Sequence, residues 1–194
     1  SFYTVIAIRI PNNESIIKPS SHCDNCNKKL NWYELIPVLS YIFLGGKCSN
    51  CKKKIPIYFM LIELISSILF ALGYYFYGIS YELFAYLVIV SLMEIIFVSD
   101  FKYLVILDGP LFISIILIII LKYIYFGLMP CINSIFSGLL FFIFLSVVKY
   151  CGDKFFKRES LGWGDIKFSI FIGVVLGIKL GLIALVIGSF IALP

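Results

Sequence analysis

Charged residues are scarce: Asp, Glu, Lys and Arg make up 14% of the 194 residues, whereas 61% are hydrophobic and the mean hydropathy is +1.03. A water-soluble domain carries about 25% charged residues and about half apolar ones, so a soluble enzyme is excluded. Also missing are an internal repeat, a low-complexity tract, a signal-peptide cleavage pattern and the glycine fingerprint of a Rossmann nucleotide site. A cleavable signal is not expected where a first span stays in place as an anchor. The basic residues outnumber the acidic ones, 16 to 11, for a net charge of +5. Nucleic-acid binding would need them in a stripe interleaved with stacking aromatics. They lie instead between apolar runs that reach the roughly 20 residues needed to cross a bilayer. The 19 Phe and 13 Tyr fall inside or at the edges of those runs, as lipid contact and interfacial anchoring require. The sequence predicts an all-α polytopic membrane protein with no nucleic-acid partner.

Residues 1–10 read as the tail of a first transmembrane helix and residues 181–194 as a span cut short, so the chain is expected to be a fragment. Residues 11–56 are the only sizeable polar segment, rich in Lys, Asn, Ser, Cys and Pro, and are expected to form an extramembrane domain; residues 57–194 form the polytopic body. Spans are expected over 57–77, 81–99, 111–122 and 134–150, followed by an apolar stretch in two pieces, 166–178 and 181–194. Gly78, Ile79 and Ser80 leave room only for a hairpin turn, and the long stem of Lys122 can snorkel to the interface. Orientation follows the Lys and Arg count of the short loops. Residues 9–54 hold eight basic residues against Glu14, Asp24 and Glu34; residues 151–167 hold Lys154, Lys157, Arg158 and Lys167; residues 78–80 and 127–133 hold none. Both basic segments are placed in the cytoplasm.

Cys23 and Cys26 form one CxxC pair and Cys48 and Cys51 another, with 21 residues between the pairs. That spacing predicts a zinc site. Each pair is a tight knuckle presenting two thiolates, and two knuckles complete a closed tetrahedral shell, a structural site with no open position for water. Lys28, Lys29, Lys47 and Lys52 would offset the thiolate charge. Disulfides are the plainer alternative, and a reducing cytoplasm disfavours them. His22 adjoins Cys23, but four sulfurs already fill the shell, so it reads as a surface residue. Cys131 and Cys151 have no partner spacing and read as apolar filler.

Acidic groups within or bordering spans are costly to desolvate and point to function. They are Glu63, Glu94, Asp100, Asp108 and Asp165. Asp100 ends one span and Asp165 opens another, with two spans between them, so both return to the same face. Gly162 and Gly164 flank Trp163 and let Asp165 approach a neighbouring helix closely. Two adjacent aspartates cannot both ionise comfortably, and one then keeps a proton while the other acts as base on a water. Two plainer readings stand beside this: Asp100 as an interfacial charge paired with Lys102, and Asp165 as a carboxylate favoured by a helix N-terminus. Glu63 and Glu94 fit either a proton relay or buried hydrogen bonds.

The sequence resembles the type IV prepilin peptidases, bifunctional leader peptidases and N-methyltransferases of bacterial pili, pseudopili and competence systems. Ser1 and Phe2 resemble the end of a GSF element, Arg9 to Pro11 an RLP, and Pro19 to Cys23 a PxSxC lead-in to the two CxxC pairs. Ile36, Pro37, Ser40 and Tyr41 resemble an IPxxSY stretch, Tyr58 and Glu63 a YPxxE stretch, Asp100 to Asp108 a DxxxxxIPD segment, and Gly162, Gly164 and Asp165 the GxGD signature. Leu107 and Phe59 stand where the family usually has Pro. GxGD alone is shared with presenilin-like and preflagellin peptidases, and the paired CxxC points to the prepilin branch. The resemblance implies that Asp100 and Asp165 are the catalytic pair. It also implies residence in the bacterial cytoplasmic membrane and removal of a short basic leader from type IV prepilins or pseudopilins. Methyl transfer from S-adenosylmethionine to the new N-terminus would follow.

Two other classes compete. A proton- or ion-coupled transporter would use Glu63, Glu94, Asp100 and Asp165 as a pathway, but needs acids near the midplane with access from both sides. A non-catalytic zinc-ribbon scaffold would explain the cysteines and leave the Gly162–Asp165 entry unexplained.

Overall fold

The computed structural model describes residues 2–23 and 25–191. Among them the order is α1 (Phe2–Arg9), a one-turn 3-10 helix (Trp32–Leu35), α2 (Leu39–Phe43), α3 (Ile57–Tyr77), α4 (Tyr81–Tyr103), α5 (Asp108–Phe126), α6 (Leu128–Phe156) and α7 (Trp163–Ile191). Five helices, α3 to α7, are long and apolar enough to cross a membrane. The chain is an all-helical, multi-pass membrane protein.

Helix boundaries follow from local chemistry. The 21 residues of α3 rise about 31 Å, the thickness of the hydrocarbon core. Gly78, with φ of 56°, stops α3 and returns its N–H to the Tyr74 carbonyl; the Ser80 hydroxyl then caps α4 by accepting from the Leu83 N–H at 3.3 Å. The expected hairpin turn is thus made by one residue that tolerates positive φ and one that caps. Gly127, φ 82°, both ends α5 and opens α6.

The chain divides into two compact units, Ser1–Leu104 and Val105–Pro194. In the first, α1 and α3 both pack on α4. The hydroxyls of Tyr3 and Ser91 share a 2.8 Å hydrogen bond, and Ser66 donates to Glu94 Oε2 at 2.6 Å. In the second unit α5, α6 and α7 pack against one another. A Cβ on Gly173 would lie 2.7 Å from the Ser137 carbonyl oxygen and 2.8 Å from Gly138 Cα. The α6–α7 contact is therefore a close backbone approach of the kind small residues permit in membranes.

Two features depart from the sequence reading. Helices α4, α6 and α7 run past their apolar runs, because polar residues at span ends continue the hydrogen-bond ladder into the interface. Lys122 does not snorkel. Helix α7 is broken at Gly177 (φ 72°, ψ −174°), freeing carbonyls of the preceding turn, and Lys122 Nζ donates to the carbonyls of Val174 (2.6 Å) and Val175 (3.2 Å) and to Ser134 Oγ (2.8 Å). A charge inside a span is stable where it meets backbone groups that lipid cannot satisfy.

Lys122→Met keeps the stem and removes every donor. It should destabilise the protein by about 2 kcal/mol, the scale of a charge-assisted hydrogen bond to a buried acceptor, measured by denaturant titration in mixed micelles.

Candidate active site and metal centre

The two cysteine pairs are built to one plan. At the first, the Cys23 N–H donates to the Lys28 carbonyl (3.0 Å) and the Asn27 N–H to the Cys23 carbonyl (2.8 Å); at the second, Cys48 N–H meets Lys53 O (2.9 Å) and Lys52 N–H meets Cys48 O (3.1 Å). Asn27 and Lys52, each four residues after the first cysteine, share positive φ (53° and 57°). Antiparallel bridges His22–Lys29 and Lys47–Lys54 close the knuckles. All four sulfurs lie within 4.8 Å of one another, with Cys23 to Cys51 at 3.8 Å and Cys26 to Cys48 at 3.9 Å. Tetrahedral ligands about 2.3 Å from a metal stand about 3.8 Å apart, so this donor set fits a metal ion.

Electrostatics point the same way. The Lys28 backbone N–H, with smaller help from Asn50, lowers the Cys26 thiol to about 6 against the effect of burial. The Cys51 and Asn50 amides lower that of Cys48. At Cys23 the amides of Asn25 and Cys26 also favour the thiolate, but burial and the sulfurs of Cys48 and Cys26 raise it on balance to about 11. Four thiols in one space cannot shed their last proton without a cation to replace it. Glu34 ties the module together. It accepts the Asn31 N–H (2.7 Å), the Ser49 hydroxyl and Lys28 Nζ (3.3 Å), and these partners, Asn31 first, hold its carboxyl below the usual range. His22, half-buried, turns its Nδ1 to the Ser20 carbonyl at 2.9 Å.

Asp100 lies exposed in the last turn of α4, where Leu104, in a left-handed conformation, returns its N–H to the Asp100 carbonyl. Lys102 Nζ sits 5.3 Å over the Tyr103 ring, and among the described residues no ion pair reaches Asp100. In the second unit Asp165 lies exposed in the first turn of α7. Its Oδ2 would be 3.1 Å from a Cβ on Gly162, and a Cβ on Gly164 would press within 3.2 Å of Ile106. The glycines of the signature thus make room for the aspartate itself and for the strand of chain entering α5.

What holds Asp165 is not legible from the motif. Lys149, on α6 and 6% exposed, donates to the Leu161 carbonyl at 2.6 Å, pairs with Asp153 at 3.3 Å and lies 5.6 Å over the Trp163 ring. Asp153 accepts the Ser160 N–H (2.6 Å) and hydroxyl (2.8 Å). A Cβ on Gly152 would fall 2.6 Å from Ser160 Oγ, so the loop lies directly on α6. Within residues 157–162, the approach to Asp165, two successive residues, Ser160 and Leu161, are clamped to α6. A second tie joins Lys167 Nζ to both oxygens of Asp108 (2.8 and 2.7 Å), holding α7 to the start of α5. The i,i+4 spacing of Lys149 and Asp153 was the only available signal, and it occurs on many helices. Glu63 and Glu94 are hydrogen-bond partners here: Glu63 Oε2 accepts the Val38 N–H at 3.0 Å, and Glu94 Oε2 the Ser66 hydroxyl.

Comparison with known proteins assigns the chain. Residues 1–77 match the bacterial peptidase A24 N-terminal domain, and residues 86–194 match the type IV leader peptidase family. The chain belongs to the type IV leader peptidase family. A Bacillus subtilis relative, named prepilin leader peptidase/N-methyltransferase, is 37% identical over 93% of this chain and 70% of its own length. Relatives of the same name from Myxococcus xanthus (32% identical, 85% of this chain, 49% of the relative) and Vibrio cholerae (29%, 99% and 79%) also match. No solved structure matches. As a member of this leader peptidase family the chain is an aspartic membrane peptidase. The N-terminal match contains all four cysteines, and the second contains Asp100, Asp165 and the residues that clamp the α7 entry.

Two outcomes test this geometry. Replacing Cys23 and Cys48 together with Ser should reduce bound metal from about one ion per chain to none by elemental analysis. Lys149→Met should speed trypsin cleavage after Lys157 and Arg158 about tenfold or more, because the loop loses its charge-assisted bonds and opens locally.

Proposed function

We propose that this protein removes the basic leader of type IV prepilin-like proteins at the cytoplasmic face of the bacterial cytoplasmic membrane, with Asp100 and Asp165 as the catalytic pair. Membership of the leader peptidase family carries this reading. Both aspartates stand at span ends, with α5 and α6 between them in the chain, so each returns to one face by span counting. The Lys and Arg excess of residues 9–54 and 151–167 supports that face being cytoplasmic. A prepilin offers its leader there while its apolar helix stays in lipid, so the scissile bond arrives at the depth of helix ends.

The chemistry needs a base to take a proton from water and an acid to polarise the carbonyl. A pair of carboxylates sharing one proton supplies both. The clamp on residues 157–162 fixes the entry of α7, so Asp165 is held without an apolar helix having to bend toward substrate. A transport pathway has less support, since Glu63 and Glu94 are engaged by Val38 and Ser66.

The domain division read from composition, a zinc module over residues 11–56 and a peptidase body over 57–194, belongs to the same proposal. Cys23, Cys26, Cys48 and Cys51 would hold a structural zinc, which would contribute folding energy to the module. The names of the relatives extend the reading to methyl transfer from S-adenosylmethionine. An open cavity of about 800 Å³ in the first unit is large enough for that group. Its lining includes Glu14, Glu63, Tyr41 and Phe59, groups that suit a cationic sulfonium, together with the basic Arg9, Lys54 and Lys102, which suit the donor's carboxylate.

Asp100→Asn and Asp165→Asn should each lower prepilin cleavage by about a thousandfold or more while membrane insertion persists. The double variant should be little worse than either single one, because groups that act as a unit are not additive. Cleavage by a well-expressed Asp165→Asn protein near the wild-type rate would overturn the aspartate assignment.

A further inference from the structure

Residues 32–43 belong by composition to the extramembrane segment, yet Trp32, Leu39, Ile42 and Phe43 turn their side chains outward, with Trp32 78% and Phe43 84% exposed. A module bathed in water rarely exposes so many large apolar side chains within twelve residues. One hydrogen bond locates it. The Val38 N–H donates to Glu63 Oε2 at 3.0 Å, and Glu63 lies six residues into α3, counted from Ile57, which is about 9 Å along the axis. Helix α3 has only enough length to span the hydrocarbon core, and Lys52, Lys53 and Lys54 precede it, so it cannot slide outward to lift Glu63 to the surface. Val38 therefore lies beside α3 below the level of the headgroups.

From Val38 onward the backbone of this segment is largely hydrogen-bonded within the protein. The N–H groups of Ser40, Ile42 and Leu44 donate to the carbonyls of Ile36, Val38 and Ser40, and those of Gly45 and Gly46 to Ile42 and Tyr41. Val38, at φ 61°, has a conformation that β-branched residues avoid, and Glu63 accepts the N–H displaced by it. Pro37 has no N–H to satisfy. Around the segment in sequence stand Lys28, Lys29, Lys47, Lys52, Lys53 and Lys54, a basic rim suited to anionic headgroups.

We propose that residues 32–43 form an in-plane element embedded in the leaflet from which α3 enters. Its outward aromatic and aliphatic side chains contact lipid acyl chains, and Glu63 anchors it at depth. A bilayer is the occupant that fits, because the surface is continuous with a membrane-spanning helix and edged with positive charge.

The test uses the full chain in vesicles of phosphatidylcholine and phosphatidylglycerol. Trp163→Phe leaves Trp32 as the sole tryptophan, since the chain has two; Phe43→Trp, with both native tryptophans replaced by Phe, moves the probe to the other end. Both probes should lose emission when the acyl chains carry bromine and should resist aqueous acrylamide. Quenching by acrylamide without bromine quenching would place the segment in water and overturn the proposal. Protection from both quenchers would show that protein covers it, and would equally overturn it. Glu63→Leu should reduce bromine quenching at position 43; unchanged quenching there would overturn the anchoring role of Glu63.

Discussion

Within the bilayer a backbone N–H or C=O that leaves the helical ladder finds no water, and each such group costs several kcal/mol unless the protein supplies a partner. Each irregularity described above carries its answer to that constraint. Gly177 interrupts α7, and Lys122 supplies the donors. Val38 takes a left-handed conformation, and Glu63 accepts its N–H. The serines of the spans bond back to carbonyls one turn earlier, as Ser91 does to Leu87 and Ser137 to Asn133. Ionisable side chains inside the spans thus serve first as substitutes for solvent.

This changes the meaning of an acidic residue in an apolar run. From sequence alone, Glu63, Glu94, Asp100, Asp108 and Asp165 are equivalent signals. The structure separates them by what they touch. Glu63 and Glu94 accept hydrogen bonds from Val38 and Ser66, and Asp108 is matched by Lys167. Asp100, Asp108 and Asp165 are all exposed at helix ends, and of these three, among the described residues, only Asp108 is ion-paired.

The spans and the four-cysteine cluster were legible because each depends on one local regularity: apolar runs of bilayer length, and cysteines with two residues between them. The knuckle plan, including positive φ at Asn27 and Lys52, repeats faithfully enough that spacing alone implies the tetrahedral edge. Lys122 misled because a lysine near the end of an apolar run has two favourable fates, interface or buried carbonyl. The choice depends on a glycine 55 residues away. The clamp on residues 157–162 was invisible for a related reason. Its members, Lys149, Asp153, Ser160 and Leu161, are ordinary individually and act only through the geometry that Gly152 permits.

A peptide bond at the membrane surface poses conflicting demands: the substrate helix requires lipid, and its cleavage requires water and charge. Helix ends are where both can be met, but they are also where helices fray. An aspartate placed there is useful only if the entry to its helix is fixed by something other than apolar packing, which is weakest at that level. The second unit supplies polar ties in that place. Lys149 holds Leu161, Asp153 holds Ser160, and Asp108 holds Lys167. Charge is scarce in this sequence, and on the second unit Lys149, Asp153, Asp108 and Lys167 are engaged in ties around the entry of α7, where lipid can no longer hold the helices in register.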